Sequence, residues 1–83
     1  MEENKLNQFN SQGEKNGYWK EFYINGQLRV KGNYVDGKKE GYWEEYDSKG
    51  NIKSVGFYKH NKKEGQWRYY YYNYGTKIKT VDY

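Results

Sequence analysis

The chain contains no cysteine, a single histidine and few aliphatic residues. The missing thiols exclude a disulfide framework, a thiolate zinc site and a cysteine nucleophile. No run is apolar enough to span a bilayer, and the opening MEENKLNQFN lacks the apolar stretch of a secretion signal, so a cytoplasmic location is expected. The catalytic inventory is equally thin. His60 falls at an expected turn beside Asn61, where a solvated side chain is a simpler reading than a general base. Ser11, Ser48 and Ser54 have no motif context. Glu44 and Glu45 are adjacent on an expected strand and point to opposite faces. Glu21 and Glu45 share a repeat position, but a solvated charged row explains them better than acid–base work. No glycine-rich phosphate cradle is present. The sequence therefore predicts a non-enzyme with no cofactor and no metal site.

Aromatic rings stand where aliphatic side chains are short. They make up 22% of the 83 residues, with 12 Tyr and 3 Trp. One domain, 1–83, is the natural division, with residues 1–4 expected to be flexible. A chain this short buries only roughly 60% of its unfolded surface. Each buried ring removes roughly 150–250 Å² from water, so a few rings substitute for many Leu and Val. A mean hydropathy of −1.50 and 31% charged residues alone would indicate disorder. The richness in aromatics and their regular placement argue against it. The net charge of +4 permits contact with nucleic acid or anionic lipid without demanding it.

The regularity is an internal repeat. Gly17, Gly41 and Gly65 are spaced by 24 and open the units 17–40, 41–64 and 65–83. Trp19, Trp43 and Trp67 coincide, as do Phe22, Tyr46 and Tyr70. Gly26 matches Gly50, Gly32 matches Gly56, Tyr34 matches Tyr58, and Lys38-Lys39-Glu40 recurs as Lys62-Lys63-Glu64. Setting Gly75 against Gly26 and Gly50 puts one extra residue near Tyr74 and brings Tyr83 onto Tyr34 and Tyr58. Lys5–Asn16 reads as a degenerate second half-unit, with Gly13 placed 24 before Gly37.

Each unit reads as two strands. The first runs over Tyr18–Ile24 and the second over Leu28–Val35, with Asn25-Gly26 as the hairpin signal between them. Asp36-Gly37 and His60-Asn61 turn the chain into the next unit. Helix is excluded by the lack of a 3.6-residue period and by repeated glycine. The fold class expected is all-β: a single-layer antiparallel β-meander of about three hairpin units plus an N-terminal half-unit. Gly32 and Gly56 lie inside strands, where glycine marks a bulge or a ring pressed on bare backbone. A neighbouring Trp is the expected ring.

The pattern G-x-W-x-x-Y/F, then N/K-G, then G-x-Y, then K-K-x-G resembles the MORN repeat, in the bacterial variant of an antitoxin-like family. The resemblance covers Gly17 to about Tyr83. It implies a single-layer hairpin sheet serving as a binding platform for proteins, and in some members for lipids. The insertion near Tyr74, the run Tyr69–Tyr72 and the small number of units depart from the family pattern.

Trp19, Trp43 and Trp67 read first as an internal stacking ladder. In the run Tyr69–Tyr72, alternate rings must leave the buried face. Exposed Tyr and Trp beside Arg68 match interface composition. Lys38, Lys39, Lys62 and Lys63 read as solubilising turn-edge charges that discourage edge pairing. The leading expectation is an inhibitor of a partner protein, an antitoxin-like, immunity-like or phage-encoded chain that occludes a bacterial enzyme or toxin. The expected contact residues are Trp43, Trp67, Tyr69, Tyr71, Arg68 and Glu45. Gly17, Gly41, Gly65, Trp19, Gly32, Gly56, Tyr34 and Tyr58 are expected to hold the repeat together. For a partner that processes nucleic acid, Glu21, Glu44, Glu45 and Asp47 would supply acidic groups. The alternative is direct RNA or single-stranded DNA binding through Tyr and the second-strand cations Arg29, Lys31, Lys53, Lys77 and Lys79. A third expectation is a self-associating module, so the chain is either a monomer or a homodimer.

Overall fold

The computed structural model describes residues 5–83; the expected flexibility of residues 1–4 lies outside them. The chain forms one open six-stranded antiparallel sheet in which every strand pairs with its neighbour in sequence. The strands are β1 (Gly17–Phe22), β2 (Leu28–Val35), β3 (Lys38–Tyr46), β4 (Ile52–Lys59), β5 (Lys62–Tyr71) and β6 (Lys77–Asp82). This is the single-layer all-β meander that the repeat predicts. Among the described residues, no helix is long and apolar enough to cross a membrane.

Two kinds of turn alternate. Asp36 and Gly37 have φ of 48° and 84°, and His60 and Asn61 have 51° and 71°. Both central residues are left-handed, which is the type I′ geometry whose twist suits a tight hairpin. Asn25-Gly26 also makes a hairpin, but within a wider loop, Tyr23–Gln27, where Gly26 alone is left-handed. There Tyr23 N–H donates to Gln27 O and Gly26 N–H to Tyr23 O, while Asn25 Oδ1 accepts from Gln27 N–H. The loop Asp47–Asn51 repeats this pattern, with the Asp47 carboxylate accepting from Lys49 and Asn51.

Lys5–Asn16 adds a short hairpin, with Phe9 bridged to Lys15. Its loop makes the bonds of the wider type, Asn10 N–H to Glu14 O and Gly13 N–H to Asn10 O. Gly13 is thus the geometric equivalent of Gly26 and Gly50, not of Gly37, on which its spacing set it. The polar reach of Asn10 Oδ1 to the N–H groups of Gln12 and Glu14 selects the wider loop.

The extra residue of the third unit lies in the strand and not near Tyr74. In the first unit Glu21 pairs with Val30 and Phe22 with Leu28, so Arg29 bulges out. In the second, Glu45 pairs with Ser54 and Tyr46 with Ile52, so Lys53 bulges. In the third, the ladder runs unbroken from Gln66↔Asp82 to Tyr71↔Lys77, with Tyr70 facing Ile78. Tyr70 fills the gap that a bulge leaves in the other units. A glycine-anchored alignment could not find this, because the added residue is one tyrosine within a run of four.

The core is a ladder of rings on one face. Phe9, Trp19, Tyr34, Trp43, Tyr58 and Trp67 follow one another edge to face, with centroids 5.0–6.1 Å apart, and Tyr83 closes the series on Trp67 at 6.3 Å. Such pairs add roughly 0.5–1.5 kcal/mol each beyond the area they bury. The strand glycines make the approach possible. A Cβ on Gly32 would lie 2.2 Å from the Trp43 ring, and one on Gly56 would lie 2.1 Å from Trp67. The ring on each glycine belongs to the following unit. The Trp directly paired with it, Trp19 on Gly32 or Trp43 on Gly56, is a different one. Each indole N–H is satisfied: Trp19 by Gln8 O, Trp43 by Asn33 O and Trp67 by Phe57 O, at 3.0, 3.2 and 3.0 Å. Gly41 pairs with Tyr58 and Gly17 with Tyr34, and Gly65 exchanges backbone hydrogen bonds with Tyr83, so the period glycines seat the ladder tyrosines.

Candidate functional site

Strand alternation sorts the expected contact residues. Trp43 and Glu45 on β3 share the ladder face with Trp67, Tyr69 and Tyr71 on β5. Arg68 is on the opposite face, in a depression with Tyr42, Val55 and Phe57. Trp43 and Trp67 are each only 3% exposed, so their ring faces are spent on the ladder, while Tyr71 is 49% exposed. Direct contact on this side therefore falls to Glu45, Tyr69 and Tyr71, with the two indoles as floor.

The ladder carries a row of lysines, again on the 24-residue spacing. Lys15 Nζ lies 4.9 Å from the Trp19 ring and 5.3 Å from Tyr34. Lys39 Nζ lies 4.9 Å from both Trp43 and Tyr58. Lys63 Nζ lies 4.9 Å from Trp67. Lys39 and Lys63 are thus bound to rings and do more than solubilise a turn edge. Lys38 and Lys62, one residue earlier, remain exposed. The difference is parity: adjacent strand residues face opposite sides, and only one of each pair meets the rings. Lys15 escaped notice in the sequence, although its position 24 before Lys39 was the signal for it.

Each lysine sits in a different polar setting. Lys15 donates to Glu21 at 3.1 Å, and Glu21 also accepts from Arg29 at 2.8 Å and from Tyr34 Oη at 3.3 Å. Burial pushes Glu21 up, but the Lys15 hydrogen bond and the Lys15 and Arg29 charges outweigh it and hold the carboxyl below its usual range. Burial and the same carboxylate push Tyr34 up to about 12. Lys63 donates to Tyr69 Oη at 2.9 Å, and Tyr69 and Tyr83 share a hydrogen bond of 2.6 Å. The hydrogen bond from Lys63 to Tyr69 raises the Lys63 pKa. In the second unit Glu45 turns aside. It accepts from Ser54 Oγ at 3.2 Å and pairs with Lys53 at 3.7 Å. Among the described residues, Lys39 Nζ has no oxygen within bonding distance and rests on rings alone. Burial lowers its pKa, against the pull of Glu45 and Glu21.

A cavity of about 220 Å³ opens here, with Val30, Ser54 and Trp67 beside Lys39, Trp43 and Tyr58, and with Arg29 and Glu45 at its sides. A second depression, lined by Lys53, Tyr69, Tyr70 and Tyr71, shares Glu45 and Ser54 with it. The two make one continuous groove from Lys39 to Tyr71. Glu44 also lines the cavity, but its carboxylate is directed to the other face, where Tyr42, Tyr46 and Lys31 hold it. His60 sits at its turn against Glu40.

Among known protein families, curated proteins and solved structures, none matches this chain.

Proposed function

We propose that the chain is a non-catalytic protein-binding module that inhibits its partner by covering a functional surface with the ladder face. The observation that carries this reading is the groove from Lys39 to Tyr71, built on regular strands with its floor rings locked edge to face. Such a surface is rigid before contact, which reduces the ordering cost of association. The carboxylates of the face are already engaged: Glu21 by two cations and Glu45 by Ser54 and Lys53. They serve as parts of a polar surface, not as an acid–base pair. The MORN-like reading of the repeat points to the same use, a hairpin platform for another protein.

Charge indicates the kind of partner. Lys15, Lys39 and Lys63 on the rings, with Arg29 and Lys53 from the bulges, face two carboxylates, Glu21 and Glu45. An acidic protein surface complements that excess. Single-stranded nucleic acid is also acidic, but base stacking needs open ring faces. The ladder tryptophans offer none. Exposed rings near a cation occur on the opposite face, where Tyr42 and Phe57 lie 5.4 Å apart beside Arg68.

The test is capture of partners from bacterial lysate by the tagged chain, with and without nuclease, alongside Tyr71→Ala and Phe57→Ala. A stoichiometric protein that survives nuclease, is lost with Tyr71→Ala and is kept with Phe57→Ala is the expected result. Recovery of nucleic acid alone, or loss with Phe57→Ala instead, would overturn the reading.

A further inference from the structure

The repeat supplies its own comparison for Lys39. Lys15, from the N-terminal half-unit, is met by a carboxylate of the first unit, and Lys63 by a phenol of the third. The middle lysine has the same two rings beneath it and no oxygen partner. The space where that oxygen would stand is the cavity over Val30 and Ser54. We propose that this cavity seats one carboxylate side chain of a protein partner, with Lys39 as the charged donor and Val30 and Tyr58, both part-exposed, packing the methylenes of the incoming side chain. The proposal rests on the protein-binding reading above and names how the partner is recognised.

Size and charge narrow the ligand class. Small-molecule pockets usually enclose roughly 300–1,000 Å³, and this part of the groove, at about 220 Å³, suits a single side chain. Arg29 lines the cavity beside Lys39, and its guanidinium binds Glu21 through Nη2, leaving other N–H groups unengaged. Glu44 and Glu45 both line the cavity, but the Glu44 carboxylate is taken up by Tyr42, Tyr46 and Lys31, so Glu45 is the resident negative charge that faces Lys39. A monoanionic carboxylate tolerates that neighbour better than a phosphate dianion does. The lowered pKa of Lys39 fits an ammonium that is partly desolvated and still unpaired. An arriving carboxylate would replace lost hydration with a charge-assisted hydrogen bond.

The experiment is an NMR titration of the full chain with the blocked peptide Ac-Gly-Glu-Gly-NH2, its Gln counterpart and inorganic phosphate. The Trp43 indole N–H, on the cavity floor, is the reporter. A saturable shift with the Glu peptide only is expected, weakened at least tenfold in Lys39→Gln and unchanged in Lys38→Gln, whose side chain is exposed on the other face. Glu45→Gln, which removes the resident charge, is expected to tighten it. An equal response to the Gln peptide, a stronger response to phosphate, no response, or an unaltered response in Lys39→Gln would overturn the site. So would a direct Lys39–Glu45 hydrogen bond seen in the free protein, because Glu45 would then fill the slot. These outcomes are independent of lysate capture. A partner lost with Tyr71→Ala but bound fully by Lys39→Gln refutes the carboxylate seat and leaves the protein-binding reading standing.

Discussion

Gly56 and Val81 occupy equivalent places opposite Trp43 and Trp67, yet one is bare and the other branched. The reason is what comes next in the chain. Trp67 of the following unit lies on Gly56, whereas β6 is an edge strand of the described sheet and no such ring lies on Val81. Gly56→Ala would force the Trp67 ring off the backbone, against the indole N–H bond to Phe57 O that fixes it. Overpacking of this kind costs about 1–3 kcal/mol. Urea unfolding should show that loss for Gly56→Ala and a smaller effect for Val81→Ala. Equal midpoints for the two variants would mean that ring-on-glycine contact does not hold the ladder. The same contrast makes β6, with Val81 in place of glycine, a poor seat for a further indole ring.

At the level of strands, bulges decide which side chains reach the ladder face. Arg29 and Lys53 are the residues left unpaired in the first two units, and each bonds to a carboxylate of that face. A bulge redirects one side chain in this way while the rest of the strand keeps its alternation. The third unit has no bulge, because Tyr70 restores one-to-one pairing and carries Tyr71 onto the ladder face. Phe22 and Tyr46, which directly follow the carboxylates Glu21 and Glu45, point the other way. Deleting Tyr70 should therefore preserve six strands while leaving Ile78 without a cross-strand partner and turning Tyr71 to the opposite face. Cross-strand Hα–Hα contacts and the face of the sheet on which the Tyr71 ring lies measure this. A Tyr71 ring still on the ladder face would show that the insertion does not set the orientation.

The whole molecule is a sheet one layer thick, 47 Å in its longest dimension, so its stability is a chain of nearest-neighbour terms without a central core. Phenols contribute to that stability through their protons. Burial, aided by Glu21, raises Tyr34 to about 12, and burial, aided by Glu44, raises Tyr46 to about 12, against an ordinary value of 10.0. The folded chain thus holds these protons where the unfolded chain releases them. The contribution is full below about pH 10 and is lost as pH climbs through about 12. Urea midpoints should fall across that window, and Tyr34→Phe, which keeps the ring, should flatten the fall. A midpoint independent of pH from 10 to 12 would contradict the coupling.

Repetition alone exposes the strand count, the 24-residue period and the three tryptophans of the ladder, because it shows which positions a stacked unit must keep; that Tyr34, Tyr58, Phe9 and Tyr83 stand between and beside them was not legible. Parity was also legible: Glu44 and Glu45 diverge, as adjacent strand residues must. Tertiary structure alone decided the rest. Which Trp lies on which glycine depends on the offset between neighbouring strands, and no single unit encodes that offset. The lysines seemed to be turn-edge charges until the ring faces beneath them were placed. Arg68 parts from Tyr69 by alternation alone, but Tyr71 joins Tyr69 on the ladder face because an inserted residue alters pairing, and in a run of tyrosines the insertion leaves no trace in composition. The unpaired state of Lys39 arises because Glu45 has two closer partners, Ser54 and Lys53, one supplied by a bulge. Competition among several acceptors and donors is settled only when all are held in space together.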